Sequence, residues 1–256
     1  LIGGALTYKT CSTYDAFGRL RTQNYPTTSN CTGETLEYSY NAMGALEKVK
    51  SQTLALDYLK NLDYNTGGQV TPQLLGNDVT TTNTYDPQTL RLTSAVSAKI
   101  PQNPVLNLTY DYDPVGNVEQ IIDATRSETS AYTYDHLDRL LSVNLTGGSS
   151  PYSQSFAYSP IGNLTSKAGV ALNYTAQSST CPDGALSKPH AATSAGSDAY
   201  CYDKNGNMVK RTESGTVYTQ NFDTENRLTS VVTGGQTTSF YYDPDGNLLS
   251  KVKPDG

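Results

Sequence analysis

Seven aspartates, Asp15, Asp86, Asp113, Asp135, Asp203, Asp223 and Asp243, each directly follow an aromatic residue in this 256-residue chain. Two facing carboxylates can do acid and base work on a glycosidic bond. Their common setting argues against that chemistry, because all seven hold one position in a repeated turn, where a single local duty explains them together. The two histidines, His136 in Asp135-His136-Leu137-Asp138 and His190 beside Pro189, lack a nucleophile and an orienting acid at a recognisable spacing. Asp243, Asp245 and Asn247 alternate oxygen ligands as a calcium loop does, but an EF-hand needs its glycine sixth and a glutamate twelfth, and Gly246 is fourth. No glycine-rich phosphate loop follows a strand pattern. The reading therefore assigns no catalytic residue, no metal and no cofactor.

The cysteines form two pairs of equal spacing, Cys11 with Cys31 and Cys181 with Cys201. Oxidised, either pair closes a loop of about twenty residues and stabilises it by ~3 kcal/mol. Three pairings are open, and free buried thiols fit as well. A metal site fits less well, since the spacing is long and only the two histidines are available to supplement the thiols. Asn30, Asn107, Asn144, Asn163 and Asn173 open Asn-x-Thr triplets that accept glycans in a eukaryotic secretory route, although a chain rich in Asn and Thr produces such triplets incidentally.

The elements that must position these residues come from repetition. Tyr14-Asp15-Ala16-Phe17-Gly18-Arg19-Leu20 recurs as Tyr112-Asp113-Pro114-Val115-Gly116-Asn117-Val118, as Tyr202-Asp203-Lys204-Asn205-Gly206-Asn207-Met208 and as Tyr242-Asp243-Pro244-Asp245-Gly246-Asn247-Leu248. The full ladder of aromatic positions runs Tyr14, Tyr40, Tyr64, Tyr85, Tyr112, Tyr134, Tyr158, Tyr202, Phe222 and Tyr242, with steps of 20 to 27 residues and one step of 44 that holds two units with a tyrosine turn lost. About twenty residues hold two strands and two turns, with no room for a crossover helix. In each turn the Asp accepts a hydrogen bond from a backbone N–H two residues on, Pro supplies a ready φ, and Gly tolerates φ > 0. The expected product is a type I turn with a glycine bulge.

Apolar residues alternate around the turns. Val118, Gln120 and Ile122 fall on one face, and Gly147-Gly148, Ser214-Gly215 and Gly234-Gly235 mark the return turns. The sequence predicts an all-β chain of tandem antiparallel hairpins in a curved or spiralling sheet, a single array over residues 1–256. Leu46 to Tyr64 reads as strand with a short helix left open, and residues 175–199 read as an irregular excursion. The absent initiator Met and the ending inside Pro254-Asp255-Gly256 point to a segment of a longer protein.

Composition narrows the partners. Hydrophobic residues make up 36% of the chain and the mean hydropathy is -0.50, which implies strands buried on one face only. The 20 Tyr, 4 Phe and no Trp favour a pleated wall that is packed at its base and wet at its tip. A net charge of -6 without a Lys/Arg cluster excludes a surface that tracks phosphates, so nucleic acid is not an expected ligand. No stretch approaches the roughly 20 apolar residues that cross a bilayer as a helix, so no membrane contact is expected of this segment.

The recurring Tyr-Asp-x-x-Gly-Arg/Asn-Leu, together with Lys188-Pro189-His190-Ala191-Ala192-Thr193-Ser194 shortly before Tyr202, resembles the YD-repeat region of Rhs proteins, shared with the C components of insecticidal Tc toxins and with teneurins. The resemblance covers nearly the whole chain and implies a hollow shell of coiled hairpins. It further implies a secreted or cell-surface protein whose shell encloses a C-terminal toxic domain, with the rest of the shell and that domain as partners, and a delivery protein or a surface glycan as further ones. A carbohydrate- or protein-recognition surface of an extracellular adhesion protein is the alternative it implies. Bacterial members carry an aspartate-based self-cleavage segment after the shell. Asp113-Pro114-Val115-Gly116 and Asp243-Pro244-Asp245-Gly246 resemble its core but sit in the ordinary turn register. Asn65, Ser159 and Asn226 depart from the repeat.

Overall fold

A computed structural model describes residues 9–25, 31–175, 177 and 179–254; Asn30 and the closing Asp255-Gly256 lie outside them. The described residues divide into two compact units. The first holds the chain up to Thr133 together with Asn144–Tyr152, and the second holds Tyr134–Val143 and the chain from Ser153 onward. All regular elements among the described residues are strands.

In the first unit the strands are β1 (Cys11–Tyr14), β2 (Leu20–Asn24), β3 (Thr35–Tyr40), β4 (Leu46–Ser51), β5 (Leu56–Tyr64) and β6 (Val70–Leu75). They continue with β7 (Thr80–Tyr85), β8 (Leu92–Ala98), β9 (Leu106–Tyr112), β10 (Val118–Asp123) and β11 (Glu128–Tyr134). Each pairs antiparallel with the next in sequence. The strand β12 spans Leu140–Gly147. The second unit carries β13 (Tyr152–Tyr158), β14 (Leu164–Lys167), β15 (Val170–Asn173), β16 (Ser194–Ala195) and β17 (Asp198–Tyr202). After these come β18 (Met208–Glu213), β19 (Thr216–Phe222), β20 (Leu228–Thr233), β21 (Gln236–Tyr242) and β22 (Leu248–Val252). From β13 on, each again pairs antiparallel with its successor. Tandem antiparallel hairpins are therefore the architecture.

The local reasons follow the repeat. A strand ends at each ladder aromatic, and the ladder register shifts there, as between Thr13 and Tyr14 or Tyr241 and Tyr242, which is the bulge a three-residue turn with one left-handed residue produces. The return turns at Ser214-Gly215 and Gly234-Gly235 place both central residues at positive φ, the backbone whose twist matches the strands on either side. Leu46 to Tyr64 is strand on both sides of a turn, because β4 and β5 find edges to pair with, and no helix forms.

Three expectations change. The register shift between Val118 and Gln120 interrupts the alternation of β10, and Ile122 is 37% exposed. One-faced burial is likewise incomplete. Among the described residues only Leu36, Leu59, Ala95, Val143, Cys201 and Tyr202 form a buried apolar set, and Ser51, Ser97 and Thr193 are buried with them. The irregular excursion is also shorter than 175–199, since Ser194–Ala195 pair with both Leu172–Asn173 and Asp198–Ala199 across a turn at Gly196.

Close backbone approach fixes one glycine beyond the repeat turns. A Cβ at Gly76 would stand 1.7 Å from the carbonyl oxygen of Asp57, while the Gly76 N–H donates to Tyr58 O at 3.0 Å. Neither backbone can yield without breaking the β5–β6 ladder. Gly76→Ala is expected to destabilise the chain by ~2 kcal/mol or more, read as a lowered urea midpoint. An unchanged midpoint would show that the two strands separate freely at this point.

A candidate structural site repeated along the chain

The turn is built on one acidic or amide side chain. In Tyr14 to Leu20 the Asp15 N–H donates to Arg19 O at 2.9 Å, and the Gly18 N–H donates to Asp15 O at 3.0 Å. The Phe17 and Arg19 N–H groups both donate to Asp15 Oδ1 at 2.9 Å. The same pair of backbone bonds closes the turns headed by Asn41, Asn65, Asp113, Asp135, Ser159, Asp203, Asp223 and Asp243. The turn headed by Asp86 is one residue longer, with Leu90 N–H donating to Asp86 O and Asp86 N–H to Arg91 O. Asn and Ser stand in for Asp because only an accepting oxygen is required: Asn41 Oδ1 takes the Met43 and Ala45 N–H groups at 3.0 Å, and Ser159 Oγ takes that of Asn163 at 3.0 Å.

The left-handed position is Gly18, Gly116, Gly206 and Gly246 in the predicted turns. It is Asp138 (φ 57°) behind Asp135 and Asn226 (φ 61°) behind Asp223, the two residue types that tolerate this conformation best after glycine.

Sequence reasoning missed what the turn does to its neighbour. Tyr40 donates its hydroxyl to Leu20 O at 2.7 Å, Tyr64 to Leu46 O at 2.9 Å, Tyr85 to Val70 O at 2.8 Å and Tyr112 to Leu92 O at 2.8 Å. In the second unit Tyr158 donates to Leu140 O at 3.0 Å and Tyr242 to Leu228 O at 2.9 Å. Each of these six tyrosines thus reaches the carbonyl of the residue that closes the preceding turn. Through the 44-residue step the role passes to Tyr174, which donates to Leu164 O, and to Tyr202, which donates to Ala192 O, both at 2.9 Å. Phe222 has no hydroxyl to give. Tyr14 ends β1 and is 63% exposed, and Tyr134 ends β11.

Where the residue before that closing position is arginine, a second contact joins the first. Arg139 lays both Nε and Nη2 on Asp135 Oδ2 at 2.7 and 2.6 Å, and its guanidinium carbon sits 4.7 Å from the centre of the Tyr158 ring. Arg19 over Tyr40, Arg91 over Tyr112 and Arg227 over Tyr242 repeat the stacking at 4.4, 5.6 and 5.5 Å. At Arg19, Arg139 and Arg227 the turn carboxylate aims the cation, and in all four the cation meets the ring of the next repeat. Cation–π contacts at such half-exposed positions contribute roughly 0.5 to 1 kcal/mol each. The visible signal was the Arg five residues after Tyr14, Tyr134 and Phe222; its partner one repeat on is not readable from spacing.

The same contacts account for the electrostatics. The Arg139 guanidinium, aided by backbone N–H donors, lowers the pKa of Asp135 to about 2. The Arg227 backbone N–H and side chain hold Asp223 below the usual carboxylate range, and the Asn247 side chain does so for Asp243. Carboxylates kept ionised and occupied by local donors are poorly placed to exchange protons with a substrate. His190 Nδ1 lies 2.7 Å from Asn163 Oδ1, and Asn163 Nδ2 donates to Pro189 O, so this histidine belongs to a clasp between β14 and the loop before β16. Among the described residues no three His, Cys, Asp or Glu gather as metal ligands. Cys11–Cys31 and Cys181–Cys201 are both disulfides, with Cα–Cα distances of 5.7 and 5.5 Å.

Comparison with known proteins places these features. The family model for the Teneurin YD-shell matches residues 61–219, and the one for the RHS Repeat matches residues 222–256. The Toxin subunit YenC2 of Yersinia entomophaga is 34% identical over 139 residues, 46% of this chain and 14% of that protein. The crystal structure of TcdB2-TccC3 without its hypervariable C-terminal region superposes on 97% of this chain with a TM-score of 0.57 and 19% identity, covering 17% of that chain. The Photorhabdus luminescens Tc holotoxin pore, in a form with a TccC3 mutation, gives a TM-score of 0.54 at 18% identity over the same shares. The chain thus spans about a sixth of the length of the relatives it matches, and the structural likeness is one of fold.

Two outcomes test the site. Tyr112→Phe removes one hydroxyl and is expected to cost about 1 kcal/mol by urea unfolding, whereas Tyr112→Ala also removes the ring beneath Arg91 and costs about 2 to 3 kcal/mol more. Because the folded pKa of Asp135 is depressed to about 2, its contribution is complete above the unfolded-chain value of about 3.9 and disappears as pH falls through 2. Asp135→Asn is therefore expected to flatten the fall in thermal midpoint between pH 4 and 2; an identical acid limb in both proteins would refute the clamp.

Proposed function

The chain belongs to the Teneurin YD-shell family, and from that membership we propose that it is one continuous stretch of shell wall in a Tc- or Rhs-like protein, enclosing a C-terminal polypeptide domain. The observation that carries this reading is the stitched register. The hydroxyls of Tyr40, Tyr64, Tyr85, Tyr112, Tyr158 and Tyr242 are spent on the preceding hairpin, and the turn carboxylates on their own turns, so the repeated residues bind the wall to itself. Such a wall works without catalysis. It excludes proteases and solvent by continuity, and it holds its contents by confinement.

The lining has to release what it holds. A fully buried large apolar side chain contributes roughly 1.5 to 3 kcal/mol, so a strongly apolar interior would retain its contents. The strands instead carry Thr, Ser and Asn among their half-buried positions, as in Thr80–Tyr85 and Gln236–Tyr242. TccC3, in a relative of the same fold, carries a hypervariable C-terminal region, and in this reading a region of that kind is what the wall encloses. The remainder of the shell is the obligatory partner in this reading, and a secreted or cell-surface protein its setting.

In the full-length protein the domain downstream of this array is expected to resist proteinase K up to the urea concentration that unfolds the array, with both losses at one midpoint. Cleavage of that domain at the rate of its isolated form, while the array remains folded, would overturn enclosure. Saturable binding of a glycan or an external protein, abolished by changing a few exposed tyrosines, would favour a recognition surface instead.

A further inference from the structure

The second unit contains a groove of about 920 Å³ that the repeat does not require. One wall is the loop Pro182–Ala185, and the other is the run from Thr219 to Thr224 at the end of β19, with the turn after Tyr202 as floor. The loop is held in place by several bonds. Cys181–Cys201 ties its start, Lys210 Nζ donates to Thr180 O at 2.6 Å, and Leu186 N–H donates to Tyr202 O at 2.8 Å. Lys188 Nζ donates to Lys204 O at 2.6 Å beyond it. A wall fastened at four points is a built feature.

Gln220 lies in this groove with 9% of its surface exposed, and its Oε1 is buried with no hydrogen-bond donor among the described residues. A buried acceptor without a donor costs on the order of 1 to 3 kcal/mol, so native structures fill such positions with water or a ligand. Gln220 is among the residues that line the groove, and the terminal amide torsion of glutamine is soft, so its amide can reorient toward a partner. A carboxamide presents an acceptor and a donor side by side, the complement of a peptide group.

Charge and apolar contact narrow the ligand. Asp203 is covered by Asn207 and its turn N–H groups, and Asp223 by Arg227, which leaves Asp183 and Lys204 as the opposed free charges on the lining. Asp203 keeps its negative charge beneath those neutral donors, so the lining is net acidic and does not suit an anionic ligand. Phe222, Val209 and Pro182 offer an apolar contact within the same groove. The strand portion of this wall, Thr219 to Phe222, extends ~10 Å at the rise of a strand, enough to accompany about three extended residues.

We propose that this groove binds a short peptide segment without acidic side chains, with Gln220 pairing to one backbone amide and Phe222 contacting one apolar side chain. The proposal rests on the enclosure reading for the source of the peptide, a stretch of the enclosed polypeptide held in extended form. Its site is formed only while the Cys181–Cys201 disulfide holds the loop wall.

The test titrates the ¹⁵N-labelled chain with N-acetyl-Ser-Leu-Ala-amide and, in parallel, with maltotriose. The Gln220 side-chain amide and the backbone signals of Thr219 to Thr224 are expected to shift saturably with the peptide at millimolar concentration. Gln220→Met is expected to weaken that binding at least fivefold while leaving the urea midpoint equal or higher, since it removes an unmatched acceptor. A lower midpoint would mean that the oxygen serves the fold, and would overturn the site. The Cys181→Ser/Cys201→Ser variant should lose the same shifts while retaining its strand content by circular dichroism. Absent peptide shifts, or shifts with maltotriose alone, would also overturn it. Either failure leaves enclosure standing, because that reading is decided by protease resistance of the downstream domain.

Discussion

The hydroxyl bond from one repeat to the closing carbonyl of the repeat before it is the constraint on which the rest of this chain depends. A two-stranded hairpin is marginal in water, and cross-strand pairs add only about 0.2 to 1 kcal/mol each. The bond from Tyr112 to Leu92 joins the residue that opens one repeat turn to the residue that closes the one before it, and fixes where the second stands over the first. Because Leu92 is itself the residue that ends a turn, the position is defined by backbone, whatever side chain the residue carries. The acceptors Leu20, Leu46, Val70, Leu140 and Leu228 are therefore free to serve packing as well.

Such a link makes stability a nearest-neighbour property. The buried apolar set among the described residues is small, and two of its members, Cys201 and Tyr202, adjoin the second disulfide. A chain of this size with so little core cannot owe its cohesion to a central cluster. It owes it to ladders, stitches and stacked guanidinium groups, each modest and each repeated. The arginine clamp shows the economy of the arrangement, since Asp135 shapes its own turn through Oδ1 and aims Arg139 at the next ring through Oδ2.

Much of this was legible in the sequence, for a physical reason. Turn chemistry is local: an Asp, two variable residues and a Gly specify hydrogen bonds within five residues, and the spacing of the tyrosines then leaves room only for hairpins. The family resemblance rested on the same residues. What could not be read was whatever joins one repeat to the next. Tyr40 and Leu20 are twenty positions apart, and nothing in either residue names the other. The simple alternation of β10 was misread because a bulge consumes one residue and resets the faces. The start of β16 was missed because two paired residues carry no periodicity at all.

Residues at the tips of the turns show why apolar character alone was an unsafe guide. Phe17, Met43, Val115, Leu137 and Ile161 all stand two places after the turn's first polar residue and are 58 to 83% exposed. At Phe17, Val115 and Leu137 the N–H is committed to the carboxylate behind it, which turns the side chain away from the strands. The last three repeats carry Asn205, Glu225 and Asp245 there, with the Asn205 and Glu225 N–H groups bonded in the same way. The turn is thus indifferent to what sits at its tip. A wall whose register is set by backbone acceptors and whose tips are unconstrained can change its outer chemistry repeat by repeat without disturbing the stitch that holds it.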